Sequence, residues 1–167
     1  WSQRLKGDYT LDEAASDVLA LADHLGEGKI HLVGHSMGAL VAQSVAALKP
    51  SRISSLTLLC PVPATGFKAD AERLASMRAV AKGGKALQEG IHARTGNRNG
   101  EGFAAAKARI ARRAASPEIK EAYLGLFTQA DISDQVEGLS MPVRLICGKH
   151  DLPFYQMAAQ KKRFAKW

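Results

Sequence analysis

The first third of the chain alternates between helix-like and strand-like patterns of apolar residues. In "YTLDEAASDVLALADHLGEG" apolar residues recur at helical spacing, Thr10 and Glu13 form a capping box, and Gly26 is placed to end the helix. "KIHLVGH" is a short apolar run bounded by glycines, which predicts a strand. "MGALVAQSVAAL" is apolar on nearly every face, as in a buried helix, and Pro50 ends it. "RISSLTLLCPVP" predicts a second strand, ended by prolines.

The pattern changes in the middle of the chain. From Ala64 to about Gln129 no strand-like run occurs. Three helical stretches, "FKADAERLASMRAV", "EGFAAAKARIARRAA" and "SPEIKEAYLGLF", alternate there with glycine breaks such as "KGG" and "RTGNRNGEG". A strand-like run then returns in "PVRLICGKHD", followed by the helix-like "QMAAQKKRFAKW". Near-continuous apolar strands separated by helices are typical of parallel sheets covered on both faces. We therefore predict one α/β domain over residues 1–167, a doubly wound and mostly parallel sheet with a helical lid insertion at about residues 64–135.

Composition and charge exclude several classes of protein. Hydrophobic residues make up 46% of the chain and charged residues 23%, which is ordinary for a globular domain. No apolar run approaches the roughly 18 residues of a membrane span, so we expect no membrane association. The net charge is +7, and residues 63–135 carry 12 basic and 8 acidic side chains. Because these charges are interleaved on helix-like segments without a nucleic-acid motif, we expect them to face solvent and expect no nucleic-acid partner.

The cysteines and histidines do not indicate a metal site. Cys60 and Cys147 each end a strand-like run, which favours buried, reduced thiols and a cytoplasmic location. The five histidines show no metal-ligand spacing. We therefore expect neither a metal nor an organic cofactor.

A serine between two glycines is the strongest chemical signal in the chain. Gly34-His35-Ser36-Met37-Gly38 fits the pattern G-x-S-x-G and lies between a predicted strand and a predicted helix. A sharp strand-to-helix turn presents the serine to a substrate, and it needs glycines two residues before and after because side chains there would clash. The helix that follows directs its free N–H groups at developing negative charge, so the Met37 N–H is a candidate oxyanion donor.

The stretches "LVGHSMGALVAQ", "RISSLTLLCPVP" and "MPVRLICGKHD" resemble the α/β-hydrolase superfamily, in its branch with a helical lid. The resemblance implies that Ser36 is the nucleophile. It also implies that Asp151, in the G-x-x-D pattern that begins at Gly148, is the triad acid that orients a histidine. In that family the histidine follows one further strand and helix, so it is expected beyond Trp167.

Three local histidines are alternatives for the base, and none fits the resemblance. In this family the side chain at His35 points away from the reaction centre, His150 occupies a variable position, and His92 lies in the lid. The family's early strands, one loop of which supplies the second oxyanion donor, are also expected outside the sequence. We therefore expect the central part of an α/β-hydrolase, inactive as an isolated chain.

The function implied by the resemblance is that of a serine hydrolase. It would act on small carboxylic esters or lactones through an acyl-enzyme. Two alternatives remain open. One is a non-catalytic ligand-binding module of the same fold, and the other is an esterase or thioesterase whose acyl substrate is carried on an acidic partner protein.

Overall fold

The computed structural model describes residues 8–165 of the 167-residue chain. Its longer elements are α1 (Leu11–His24), β1 (Ile30–His35), α2 (Met37–Leu48), β2 (Ile53–Leu59), α3 (Ala71–Lys82), α4 (Gly84–Arg94), α5 (Gly100–Ala114), α6 (Pro117–Gln129), α7 (Ser133–Val136), β3 (Val143–Ile146) and α8 (Met157–Arg163). Short 3₁₀ turns occur at Pro50–Arg52 and Pro153–Tyr155.

The predicted capping box at the start of α1 is confirmed. The Glu13 N–H donates to Thr10 Oγ1 at 3.1 Å, and the Thr10 N–H donates to Glu13 Oε2 at 2.9 Å. These hydrogen bonds lower the pKa of the Glu13 carboxyl, because they favour its charged form. Gly26 follows the helix with a φ of 74°, a conformation that glycine adopts without strain.

The three strands form a parallel sheet in the order β1-β2-β3. In the register, His35 pairs with Leu59, and Leu59 pairs with Ile146. The carboxyl ends of all three strands therefore meet at one edge of the sheet. Helices flank the sheet, so the predicted α/β class is confirmed.

The main core lies between the sheet and the helices α1 and α2. Leu56 and Leu58 of β2 are fully buried there. They pack with apolar residues of the helices and of the chain end, including Ala15, Ala39, Ala42, Val45, Ala46 and Phe164. Alternate strand residues point to the other face, where Val33 and Ile146 remain 72% and 45% exposed among the described residues.

Between β2 and β3 the structure has four longer helices where the pattern predicts three. The additional helix is α4, which begins directly after the Gly83 break. It buries only Leu87 and Ile91, which contact Ala104 and Ala108 of α5. Two apolar residues give too weak a periodicity to predict a helix, and α4 is stabilised mainly by this tertiary packing.

This helical segment is tied to the sheet by a second cluster and by backbone hydrogen bonds. Val62, Phe67 and Leu40 of α2 are buried together. The Phe67 N–H donates to the Phe127 carbonyl at 2.8 Å, and the Ile132 N–H donates to the Ala64 carbonyl at 2.8 Å. The helices consequently lie beside the edge of the sheet where the strands end.

Candidate active site

Ser36 lies at the turn between β1 and α2 in a strained backbone conformation. Its φ is 54° and its ψ is −119°, a region that non-glycine residues rarely adopt. Such strain costs about 1–3 kcal/mol and persists only where the surroundings impose it. Here the Ser36 N–H donates to the Leu59 carbonyl at 3.0 Å, and the Val62 N–H donates to the Ser36 carbonyl at 3.1 Å. The Ser36 side chain makes no capping hydrogen bond to α2. The turn therefore leaves its Oγ available for other contacts.

Met37 is the first residue of α2, so its N–H is among those that have no partner within the helix. Gln43 holds this helix against the loop after β2. Its Nε2 donates to the Ala39 and Val62 carbonyls, each at 2.9 Å. The N-terminus of α2 and the end of β2 are thereby fixed relative to each other.

The steric argument for glycine holds at only one of the two flanking positions. A Cβ at Gly34 would lie 2.6 Å from both the Ala39 Cα and the Gly38 carbonyl oxygen. A Cβ at Gly38 would meet nothing within 4 Å, so the expectation that this position also requires glycine for space is wrong. The close approach is between the end of β1 and the first turn of α2, and only Gly34 faces it.

We expect Gly34→Ala to destabilise the protein by about 1–3 kcal/mol, because backbone atoms of α2 would have to move. The matched control is Gly38→Ala, which should leave stability unchanged or raise it by up to about 1 kcal/mol through helix propensity. Urea unfolding followed by circular dichroism measures both. Equal stability of the two variants would contradict the close approach at Gly34.

Asp151 lies on the loop that follows β3 and is half-buried. The Leu152 N–H donates to Asp151 Oδ1 at 2.8 Å, and Gln156 Nε2 donates to the Asp151 carbonyl at 3.0 Å. Burial raises the pKa of the Cys60 thiol, and Asp151 raises it further. Cys60 and Cys147, predicted as buried thiols, are free but only half-buried.

Tyr155 is the residue of this site that the sequence analysis did not identify. Its ring stacks on Phe67 at 6.1 Å between centroids. Burial raises the pKa of the phenol, the Ser36 hydroxyl and the charges of Arg73 and Arg94 lower it, and the charge of Asp151 raises it. The net shift is upward, so Tyr155 carries its proton at neutral pH. Tyr155 and Asp151 share the loop at the carboxyl end of β3, and ligands of parallel sheets bind at that edge. This placement is the signal that could have identified Tyr155.

No histidine of the chain completes a triad in this structure. All five histidines lie within residues 8–165, and none forms a hydrogen bond or ion pair with Ser36 or Asp151. His31 is hydrogen-bonded to Ser55 at 2.7 Å instead. His35 and His150 are exposed and His92 is half-buried. Ser36 and Asp151 lie at the same edge of the sheet, after β1 and β3 respectively, and no histidine is bonded to either.

Metal-ligating side chains do not cluster in the part of the chain that the structure describes. Among residues 8–165 no group of three or more histidine, cysteine, aspartate or glutamate side chains could hold a metal ion. No described helix is both long enough and apolar enough to cross a membrane.

Comparison with known proteins identifies the family of the fold. Residues 1–86, half of the chain, match the family described as the alpha/beta hydrolase fold. The chain belongs to this family. A solved enol-lactonase from Burkholderia xenovorans LB400 superposes with a TM-score of 0.78 at 24% identity, covering 98% of this chain and 64% of that protein. At this identity the superposition shows the fold alone.

Two similar proteins of assigned function match over shorter segments. An acetyltransferase component of the acetoin cleaving system of Pseudomonas putida is 54% identical over 54 residues, which cover 32% of this chain and 14% of that protein. The lipase LipV of Mycobacterium tuberculosis is 41% identical over 56 residues, 34% of this chain and 22% of the lipase. In each of these comparisons the match spans less than two thirds of the related protein.

Proposed function

We propose that this chain carries the nucleophile and the triad acid of a serine hydrolase that acts on small carboxylic esters or lactones. The observation that carries the proposal is Ser36, held at a φ of 54° between the end of β1 and the N-terminus of α2. The Ser36 side chain does not cap α2, so capping does not account for the strained backbone. Residues with such strained backbone conformations cluster at active sites. The similarity to a lipase, 41% identical over 56 residues, supports the same class of reaction.

In the proposed reaction Ser36 Oγ attacks the substrate carbonyl. A histidine from outside residues 1–167 takes the hydroxyl proton, and Asp151 orients that histidine and stabilises its charged form. The Met37 N–H donates to the oxyanion of the tetrahedral intermediate. The histidine then returns the proton to the departing alcohol, and water hydrolyses the acyl-enzyme by the same steps. The chemistry requires neither a metal nor an organic cofactor.

The helical segment at residues 64–135 is proposed as the lid of this site within a single domain. It contains α3 to α6 and has a small core of its own between α4 and α5. Arg78 Nε of α3 forms an ion pair with Glu121 Oε1 of α6 at 3.0 Å, which links the first and last of these helices. Such a segment would cover the turn at Ser36 and shape the pocket for the acyl group.

The proposal is tested by labelling the full-length protein, including the segment expected to supply the histidine, with a fluorophosphonate; the serine oxygen bonds to phosphorus and fluoride leaves. We expect one modified residue, Ser36, when the labelled peptides are mapped by mass spectrometry. Ser44→Ala is the matched control: Ser44 lies on the same helix, is fully buried and has no hydrogen-bond partner for its Oγ in the described structure. This variant should be labelled like the wild type. Labelling of other residues only, or no labelling, would favour a ligand-binding module instead.

A further inference from the structure

The Ser36 carbonyl accepts two backbone hydrogen bonds that come from different parts of the fold. The Ala39 N–H in the first turn of α2 and the Val62 N–H in the loop after β2 each donate to it at 3.1 Å. Val62 lies between Pro61 and Pro63, and all three side chains are fully buried. Because proline has no N–H, Val62 carries the only backbone donor of the three. The direction of the Ser36 carbonyl, and with it the ψ angle of this strained residue, therefore depends on where Ala39 and Val62 are held.

One buried side chain holds both of these donor residues. Gln43 Nε2 donates to the Ala39 carbonyl and to the Val62 carbonyl, each at 2.9 Å. Hydrogen bonds thus join Ser36, Ala39, Gln43 and Val62 in a closed network. Carbonyl oxygens only accept, so the amide nitrogen of Gln43, and not its oxygen, must face them.

The remaining surroundings of Gln43 give its amide no other role. Gln43 is fully buried, and its Oε1 has no hydrogen-bond partner within the part of the chain that the structure describes. A primary amide has two N–H donors, and both of them are used on the residues that hold the Ser36 carbonyl. The side chain is therefore fixed by the network at Ser36 alone.

We propose that Gln43 is a positioning residue, whose amide keeps Ser36 in the backbone conformation that presents its hydroxyl. The inference rests on the proposed function, because it concerns how the same nucleophile is held. A strained conformation persists only where the surroundings impose it. Without the amide, the Val62 carbonyl loses this partner and the loop after β2 is no longer tied to α2 by a side chain. The turn would then relax and move the Ser36 Oγ relative to the Met37 N–H.

The test replaces Gln43 by methionine in the full-length protein that supplies the histidine. Methionine has a similar length and volume but no N–H donor. We expect kcat for p-nitrophenyl acetate to fall by about 10- to 100-fold, since a displacement of about 1 Å at a reacting group costs up to about 10²-fold. KM should change by less than about threefold, because no contact with the substrate is removed. Gln43→Asn is the second variant: it keeps the amide on a shorter side chain that cannot span both carbonyls, and its kcat should fall as well.

The matched control is Ile53→Val, which removes one methyl group from the same core at the amino end of β2, away from Ser36. This variant should be less stable than the wild type in urea and keep the wild-type kcat. Wild-type kcat in a folded Gln43→Met variant, or an equal fall of kcat in Ile53→Val, would overturn the inference.

Amide hydrogen exchange, followed by NMR, separates this inference from the proposed function. The Val62 amide should exchange at least about tenfold faster in Gln43→Met than in the wild type, because its place beside Ser36 is no longer held. The Leu56 amide, which donates to the Pro142 carbonyl at 2.9 Å, is the internal reference and should keep its rate. An unchanged Val62 rate in the folded variant would contradict the positioning role.

The two measurements together distinguish the possible failures. If the wild type hydrolyses no ester but the Val62 amide exchanges faster in Gln43→Met, the proposed hydrolysis fails and the positioning of Ser36 stands. If Ser36 is required for hydrolysis but Gln43→Met keeps the wild-type kcat, the positioning role fails and the hydrolase stands.

Discussion

Ser36→Ala is expected to abolish the hydrolysis of p-nitrophenyl esters by the full-length protein that supplies the histidine. Loss of the attacking oxygen removes the acyl-enzyme route altogether, and removal of such a nucleophile lowers kcat by roughly 10⁵- to 10⁶-fold. The fold should survive, because the Ser36 side chain caps no helix and the turn is held by backbone hydrogen bonds to the end of β2.

Initial rates with p-nitrophenyl acetate and an unfolding curve for each protein check this expectation. Ser44→Ala serves as the control, since it removes the next hydroxyl along α2, which is buried and lies outside the turn. Near wild-type turnover in a folded Ser36→Ala variant would show that another residue is the nucleophile.

Asp151→Asn is expected to lower kcat by about 10⁴-fold while KM changes little. An amide at this position cannot stabilise the charged histidine and would favour the wrong tautomer of its ring. The local structure should persist, because an asparagine oxygen can still accept the hydrogen bond that the Leu152 N–H makes at 2.8 Å. The substitution therefore removes the charge without removing the loop geometry.

Steady-state kinetics of Asp151→Asn should be compared with those of Asp134→Asn, which removes one negative charge from an exposed position on α7. The control should behave as the wild type. A loss of only a few-fold in Asp151→Asn would mean that the triad acid is a different residue.

The elements of the sheet could be predicted because their signals are local. The capping box at Thr10 and Glu13, the break at Gly26 and the strand β1 depend on residues that are neighbours in the chain. The helix α4 could not be predicted in this way, because Leu87 and Ile91 form its only buried contacts and their partners lie on α5. A helix of two buried residues becomes stable only after its partner is in place.

In the candidate site, too, some features follow from local sequence signals and others from tertiary packing. The sequence by itself predicted the turn at Ser36 and the need for glycine at Gly34, because steric limits on a strand-to-helix turn act over a few residues. Asp151 was predicted only through the resemblance to the α/β-hydrolases. The prediction that Gly38 must also be glycine for steric reasons was wrong. Which of the two glycines faces the close approach is decided only by the packing of β1 against α2. The stacking of Tyr155 on Phe67 and the position of Arg73 over Phe67 were decided by the tertiary structure alone. An aromatic or basic residue far along the chain carries no periodic signal of its partner, and the parallel sheet and the docking of α3 bring these groups together.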